Sequence, residues 1–172
     1  VVPRFLQQIR SGEDLTVTHE AMTRFLMTLE ESVELVLEAF ETGNSGDIFI
    51  RKGPATSVGV LARAVALLEG YPDSKIRQVG VRHSEKLYES LLSSEELAVA
   101  EDQGDFFRVP LDARDLNYQN YFVSGDRDFV FTEGYHSHNA EQLGLEETAT
   151  LLQALPEYQS YLLNEKDSGA NR

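Results

Sequence analysis

The chain has 172 residues, with 29 Asp and Glu against 15 Lys and Arg, for a formal net charge of −14. So acidic a chain is not expected to meet nucleic acid or an anionic membrane surface, and positive charge carries meaning where it clusters. Cysteine is absent, which excludes a disulfide framework, a thiol nucleophile and a Cys-based zinc site and fits a cytoplasmic location; no apolar run approaches the roughly 20 residues that span a bilayer.

The first residues, Val1-Val2-Pro3-Arg4-Phe5, include no Met, basic n-region or apolar signal segment, so the natural start is expected upstream. Phe5, Leu6 and Ile9 fall at helical spacing between Pro3 and Gly12, which predicts a short helix. Leu15, Thr16, Val17 and Thr18 alternate as a strand with both threonines on one face, and that face also suits the solvent side of an edge strand. Arg24 follows, with Glu20 as a simple ion-pair partner. Residues 28–42 are the clearest helix. Thr28 and Glu31 have capping-box spacing, Leu29, Val33, Val36, Leu37 and Phe40 form an apolar face, and Glu30, Glu31, Glu34, Glu38 and Glu41 a solvated one. Residues 47–50 read as a buried strand ended by Arg51, Lys52 and Gly53-Pro54. Ser57 caps a helix with Val58, Leu61, Ala62, Val65 and Leu68 on one face, which stops at Gly70-Tyr71-Pro72. Residues 76–81 return as a strand, and the β-α-β-α-β alternation predicts parallel pairing.

At the end of that strand Arg82, His83, Glu85 and Lys86 fall within five residues. Ligands of open α/β sheets lie outside the carboxyl ends of the strands, where an Arg fork suits phosphate and a Glu suits sugar hydroxyls. A nucleotide sugar has both groups; the bland reading is an exposed charged turn. Arg51 and Lys52 at a second strand end suggest one shared anionic crevice. Beyond this point Ser93 caps a short helix, residues 106–109 read as a strand before Pro110, and residues 129–131 as another. Residues 112–122 are polar and aromatic, 135–139 an irregular loop and about 145–155 a helix. Tyr158, Tyr161 and Leu162 precede a polar tail of disordered composition.

Arg82-His83-Ser84-Glu85-Lys86-Leu87-Tyr88-Glu89 closely resembles the RHGEKLYE signature of bacterial UDP-N-acetylglucosamine 4,6-dehydratases of capsule and surface-glycan synthesis, extended short-chain dehydrogenases, with Ser84 where that family usually has Gly. Leu15-Thr16-Val17-Thr18 with Met22-Thr23-Arg24-Phe25-Leu26-Met27 is similar to its LTxT…MTRFLM segment, and Arg108-Val109-Pro110 with Arg114-Asp115-Leu116-Asn117-Tyr118 to its YRVPxDxRDLNY segment. Tyr135-His136-Ser137-His138-Asn139 resembles its Y-x-SHNT stretch. The resemblance spans about residues 1–152. It implies an α/β fold, the substrate-binding half of a Rossmann-type enzyme with a short, partly parallel sheet, helices and an irregular C-terminal extension. The implied organisation is a nucleotide-sugar-binding region over 1–122, a latch-like extension over 123–163 and a disordered tail over 164–172.

The resemblance further implies that Leu15, Thr16 and Thr18 hold the uracil, that Arg24 and Arg82 contact pyrophosphate or ribose, and that Glu85 accepts from the ribose. His136, His138 and Asn139 become a possible latch over an active-site mouth. NADP would be bound mainly by an N-terminal Rossmann half outside this chain, and UDP-sugar, that half and further copies in a homo-oligomer would be the partners. The implied reaction takes hydride from C4 of the sugar, eliminates water across C5 and C6 and returns hydride at C6, with epimerisation at C5 in the inverting members. The alternative is a stand-alone nucleotide-sugar-binding or assembly module without catalysis.

No catalytic constellation of its own is read in this chain. There is no G-x-G-x-x-G after a strand, and the Tyr-x-x-x-Lys spacing occurs only as Tyr71 and Lys75, inside a turn rather than on a helix. His19-Glu20 lacks the second His of a zinc protease, and neither G-x-S-x-G nor a phosphate-cradling G-x-x-x-x-G-K-[ST] occurs. His136 and His138 share a strand face that could seat zinc, but no third ligand has useful spacing, so no metal is expected. The chain alone is expected to be inactive.

Overall fold

The computed structural model describes residues 1–83, 85–111, 133–156 and 158–159. Helix α1 (Val2–Arg10) opens on Pro3, whose missing N–H is harmless in a first turn, and buries Phe5, Leu6, Gln8 and Ile9. Strand β1 (Leu15–Val17) buries Leu15 and Val17, and β2 (Thr23–Phe25) follows. Helix α2 (Leu29–Thr42) starts at the predicted capping box, with the Thr28 hydroxyl accepting from Glu31 N–H and the Glu31 carboxylate from Thr28 N–H. After β3 (Ile48–Arg51) and β4 (Ala55–Ser57), helix α3 (Val58–Leu68) is capped by Ser57, which accepts from Val60 N–H at 3.1 Å. Next come β5 (Ile76–Gln78), β6 (Ser90–Leu92), α4 (Ser94–Val99), β7 (Glu101–Asp102), β8 (Phe106–Val109), β9 (Tyr135–His136) and α5 (Leu145–Ala154). Among the described residues, no helix is long and apolar enough to cross a membrane.

Parallel pairing holds between the first and third strands of the predicted alternation, Leu15 opposite Ile76 and Val17 opposite Gln78. It fails for the middle one. β3 pairs antiparallel with β8, which pairs in turn with β7, while β4 turns back to pair antiparallel with β2. The diversion is fixed at both ends of β3. The Asp47 carboxylate takes the Arg108 guanidinium at 2.7 Å, and Arg51 reaches back to Glu34 at 3.0 Å and Glu31 at 3.4 Å. Nor is β3 buried throughout, since Ile48 is exposed and only Ile50 is in the core.

The main core joins α1, β1, α3 and α5. Phe5, Leu6, Leu15, Val17, Leu61, Val65, Ala149 and Leu152 pack together there with Tyr158, whose hydroxyl donates to Glu69 at 2.7 Å. The predicted inner face of α3 is the observed one, with Leu68 only partly covered. A smaller cluster of Ile50, Leu92 and Val109 underlies β3, β6 and β8. In α2 the predicted apolar face exists but is not buried, and no residue of that helix is. Tyr71 lies in the turn after Gly70, as read from the sequence, with Ser74 N–H donating back to Tyr71 O at 3.0 Å. The expected strand at 129–131, the polar stretch 112–122 and the tail 164–172 lie outside the described residues.

Candidate functional site

The chain leaves β5 at Gln78 but keeps bonding along β1, with Val79 N–H donating to Val17 O at 2.8 Å and Gly80 N–H to Thr18 O at 3.1 Å. Gly80 adopts φ +88°, a left-handed conformation that only glycine takes cheaply, and it turns the next segment away from the sheet. Residues 82–89 then run across to β2. Thr23 N–H donates to Leu87 O at 3.0 Å, Arg24 Nη2 to Lys86 O at 3.3 Å, and Arg24 Nε pairs with the Glu89 carboxylate at 3.2 Å. A third bond from Arg24, Nη1 to Thr23 O at 2.6 Å, fixes the guanidinium between strand and loop. The proposed partner Glu20 is engaged elsewhere, by Arg63 at 2.6 Å, and that bond draws its carboxyl below the usual glutamate range.

One loop therefore joins the ends of strands in two different sheets, with Thr18 bonded to its start through Gly80, Arg24 bonded near its end through Lys86 and Glu89, and Arg82 and Glu85 between them. Within it, Glu85 Oε2 accepts from Arg82 N–H at 3.0 Å and Glu85 N–H donates to Arg82 O at 3.1 Å. This reciprocal turn is the charged turn of the bland reading, yet it uses only the backbone of Arg82. The guanidinium, exposed to solvent, has no partner among the described residues. Thr16 is drawn to the other side: its hydroxyl accepts from Gln8 Nε2 at 2.8 Å and Arg4 Nη2 at 3.2 Å, and its N–H donates to Gln8 Oε1 at 3.1 Å. Leu15 has its side chain wholly in the core and its N–H on Lys75 O at 2.9 Å.

Residues 135–139 form the second wall, and they are more regular than the loop read from the sequence. Tyr135 and His136 pair with β6 across a register shift, and Asn139 closes the following turn by accepting from His136 N–H at 2.9 Å and donating to Gly134 O at 2.8 Å. Ser137 is fully buried. Its hydroxyl lies 2.7 Å from that of Thr23, donates to Thr23 O at 3.1 Å and accepts from Glu89 N–H at 2.9 Å. His138 Nδ1 is 3.3 Å from the same Thr23 hydroxyl, and the Tyr88 ring stands 4.6 Å from the His136 ring and 5.1 Å from that of His138. Tyr135 anchors the base of the wall, donating to Gly53 O at 3.1 Å beside Phe25 and Phe107; burial raises its phenol above the ordinary range. Segments far apart in sequence, around 23, 88 and 137, thus meet at one place. Sequence reasoning selected His136, His138 and Asn139 but passed over Ser137, Thr23 and Tyr88. All three stand inside the motif stretches quoted above, which was the available signal.

Arg51 and Lys52 do not join this cluster. Arg51 is held by Glu31 and Glu34 with its guanidinium over the Phe106 ring, and Lys52 pairs with Asp102 over the Phe107 ring. Their charge ties α2 and β7 to β3, so among the described residues it does not add to that around residues 82–89. What remains around residues 82–89 is a cationic fork, a carboxylate and strand-end hydroxyls at the mouth of a loop. Such a set can receive an anion joined to a hydroxyl-bearing group.

The fold is mixed α/β, with a short, partly parallel sheet and helices of the kind found in the substrate-binding half of Rossmann-type enzymes. Residues 1–111 match a family described as "Polysaccharide biosynthesis protein" and residues 112–159 one described as "Polysaccharide biosynthesis protein C-terminal". The chain belongs to the polysaccharide biosynthesis protein family. It is 51% identical over 164 residues to a protein named "UDP-glucose 4-epimerase" from Rickettsia canadensis (strain McKiel), covering 95% of this chain and 48% of the relative. It is 52% identical over 166 residues to a protein of the same name from Rickettsia bellii (strain OSU 85-389), with the same coverage. Among solved structures, the X-ray structure of Pen from Bacillus thuringiensis superposes with a TM-score of 0.72 at 29% identity, covering 92% of this chain and 45% of that one. The chain spans about half the length of the curated relatives it matches.

Proposed function

We propose that this chain is the nucleotide-sugar-binding part of an NADP-dependent UDP-N-acetylglucosamine 4,6-dehydratase that serves surface-polysaccharide synthesis. The observation that carries the reading is the loop 82–89, anchored by Thr18, Thr23 and Arg24 and leaving the Arg82 guanidinium in solvent. Membership of the polysaccharide biosynthesis family and the names of the relatives support a sugar nucleotide as the ligand class.

In this reading Arg82 and Arg24 take the pyrophosphate or ribose and Glu85 accepts from ribose hydroxyls. Thr18 lines the uracil position, while Leu15, buried in the core, and Thr16, held by Gln8 and Arg4, drop out of it, and the His136, His138 and Asn139 wall closes over the mouth. The nicotinamide cofactor, held mainly by the other half, supplies a hydride acceptor and donor. This chain supplies position, since binding energy at a remote nucleotide orients the sugar and lowers the barrier at the reacting carbons.

A UDP-glucose 4-epimerase is the second reading, favoured by the names of the Rickettsia relatives. The two reactions differ in mass balance: dehydration releases one water from the sugar, whereas epimerisation returns an isomer of unchanged mass. A protein carrying both halves, incubated with UDP-N-acetylglucosamine and separately with UDP-glucose, should give a product lighter by one water from the former. An isomer of equal mass from either substrate would overturn the dehydratase reading in favour of the epimerase. The isolated chain should give neither product, because proton transfer needs groups within about 2.6–3.2 Å of the reacting atoms and those are assigned to the other half.

A further inference from the structure

Helix α2 rests on β3 by one side only, and the side turned away carries Leu29, Val33, Val36, Leu37 and Phe40, exposed by 66%, 50%, 52%, 55% and 83%. Their spacing is that of a helix face made to be covered. Met27, 51% exposed, extends the stripe, and beside it opens a small apolar cavity of about 180 Å³ lined by Phe25, Leu35, Phe49 and Leu91. An exposed apolar patch larger than roughly 300–600 Å² is uncommon on a monomer and marks an interaction surface.

We infer that this stripe and cavity are the seat of the other half of the fold, the part of the relatives' length that this chain does not span. The inference rests on the proposed two-half enzyme. Two observations select that occupant. The matched relatives are about twice as long as the region they share with this chain, so as much again of each is free to cover a face of this size. The stripe is also bordered by Glu30 and Glu41, in a chain of net charge −14, so a second copy laid on it would bring like charge against like charge. The fitting surface is an apolar ridge with basic borders.

The absence of cysteine makes the test clean. Val36→Cys and Phe40→Cys variants of this chain would be reacted with a maleimide alone, with excess unsubstituted chain, and with the purified half of the Rickettsia bellii relative that the match leaves out. Labelling should slow by roughly tenfold or more with that half and stay unchanged with excess chain. No slowing by the half would overturn the inference, and equal slowing by excess chain would give the surface to a second copy. A Val33→Ser/Val36→Ser/Leu37→Ser variant, altered where about half of each side chain is exposed, should still unfold cooperatively in urea yet lose capture of the half; retained capture would also overturn it. UDP binding measured on the same complex separates the two readings. Docking on α2 without UDP binding would refute the proposed function and leave this inference standing, and UDP binding with α2 still open would do the reverse.

Discussion

The hydroxyls of Thr23 and Ser137, 114 residues apart in sequence, lie 2.7 Å apart in a fully buried contact. Ser137 also donates to Thr23 O and accepts from Glu89 N–H, so one small side chain ties β2, the end of the signature loop and the turn after β9 together. Removing it takes the acceptor from the partly buried Glu89 N–H and leaves the buried Thr23 hydroxyl with His138 Nδ1 alone, at 3.3 Å. Ser137→Ala should therefore cost about 1–3 kcal/mol, the usual penalty for buried polar groups left without a partner. Urea unfolding of the two proteins would measure it, and an unchanged midpoint would show that the three segments are held by other contacts.

Gly134, just before β9, has a backbone so close to Leu92 O that an added Cβ would collide with that carbonyl and with the Ser93 backbone. Neither neighbour can rotate away, because both belong to the main chain. Gly134→Ala should push β9 off β6 and cost roughly 1–3 kcal/mol. Amide exchange at Ser137, whose N–H donates to Glu89 O at 2.8 Å, should speed up in the variant. Native protection there would mean that the strand pair accommodates the methyl group.

How much of this was legible in the sequence depends on how local each cause is. Caps were readable because Thr28, Ser57 and Ser93 act on N–H groups three residues on, and all three do so in the structure. The inner face of α3 followed from periodicity, but the burial of Gly59, Ala64 and Ala66 beside it did not, since it depends on how many neighbours pack around that helix. The partner of β3 was not readable, because its choice depends on Asp47 meeting Arg108, 61 residues away. Periodicity also said that α2 has an apolar face but not whether this chain covers it. In the site, charge density pointed to residues 82–89. Ser137, flanked by two more conspicuous histidines, acts only through its burial, which alternation within a single short stretch does not reveal.

Acid should release the Asp47 clamp. Its carboxylate accepts from Asn44 N–H at 2.8 Å, Arg108 Nε at 2.8 Å and Leu111 N–H at 3.2 Å, and these bonds, the one from Asn44 foremost, hold its carboxyl below the ordinary aspartate value despite some loss of hydration. A carboxyl with a lower pKa in the folded than in the unfolded state binds fewer protons when folded. It therefore stabilises the fold above the unfolded value and loses that contribution as pH falls through the folded one. Asp47→Asn should be less stable than the parent at neutral pH, and the gap should close below about pH 4. Urea midpoints of both proteins at neutral pH and in steps from about pH 4 downward would check it. A gap that stayed constant with pH would assign the effect to packing rather than to charge.

Arg24 and Arg82 should differ in what their loss does, although both are assigned to the nucleotide. The Arg82 guanidinium stands in solvent with no partner among the described residues, so removing it leaves no buried group unpaired. Arg24 is bound to Thr23 O, Lys86 O and the Glu89 carboxylate, so removing it loosens the join between β2 and the signature loop. A charge-assisted bond to phosphate contributes about 1.5–3 kcal/mol net, so Arg82→Ala should weaken UDP binding roughly ten- to a hundredfold with an unchanged urea midpoint. Arg24→Ala should weaken binding comparably and also lower the midpoint, because the site loses both a ligand and part of its frame. Titration calorimetry of UDP with a protein carrying both halves, paired with urea unfolding of each variant, distinguishes the two effects. Unchanged affinity in both variants would leave residues 82–89 as a charged turn and remove the nucleotide from this loop. If only Arg24→Ala lost affinity, the pyrophosphate would belong to the strand end and Arg82 would be a bystander.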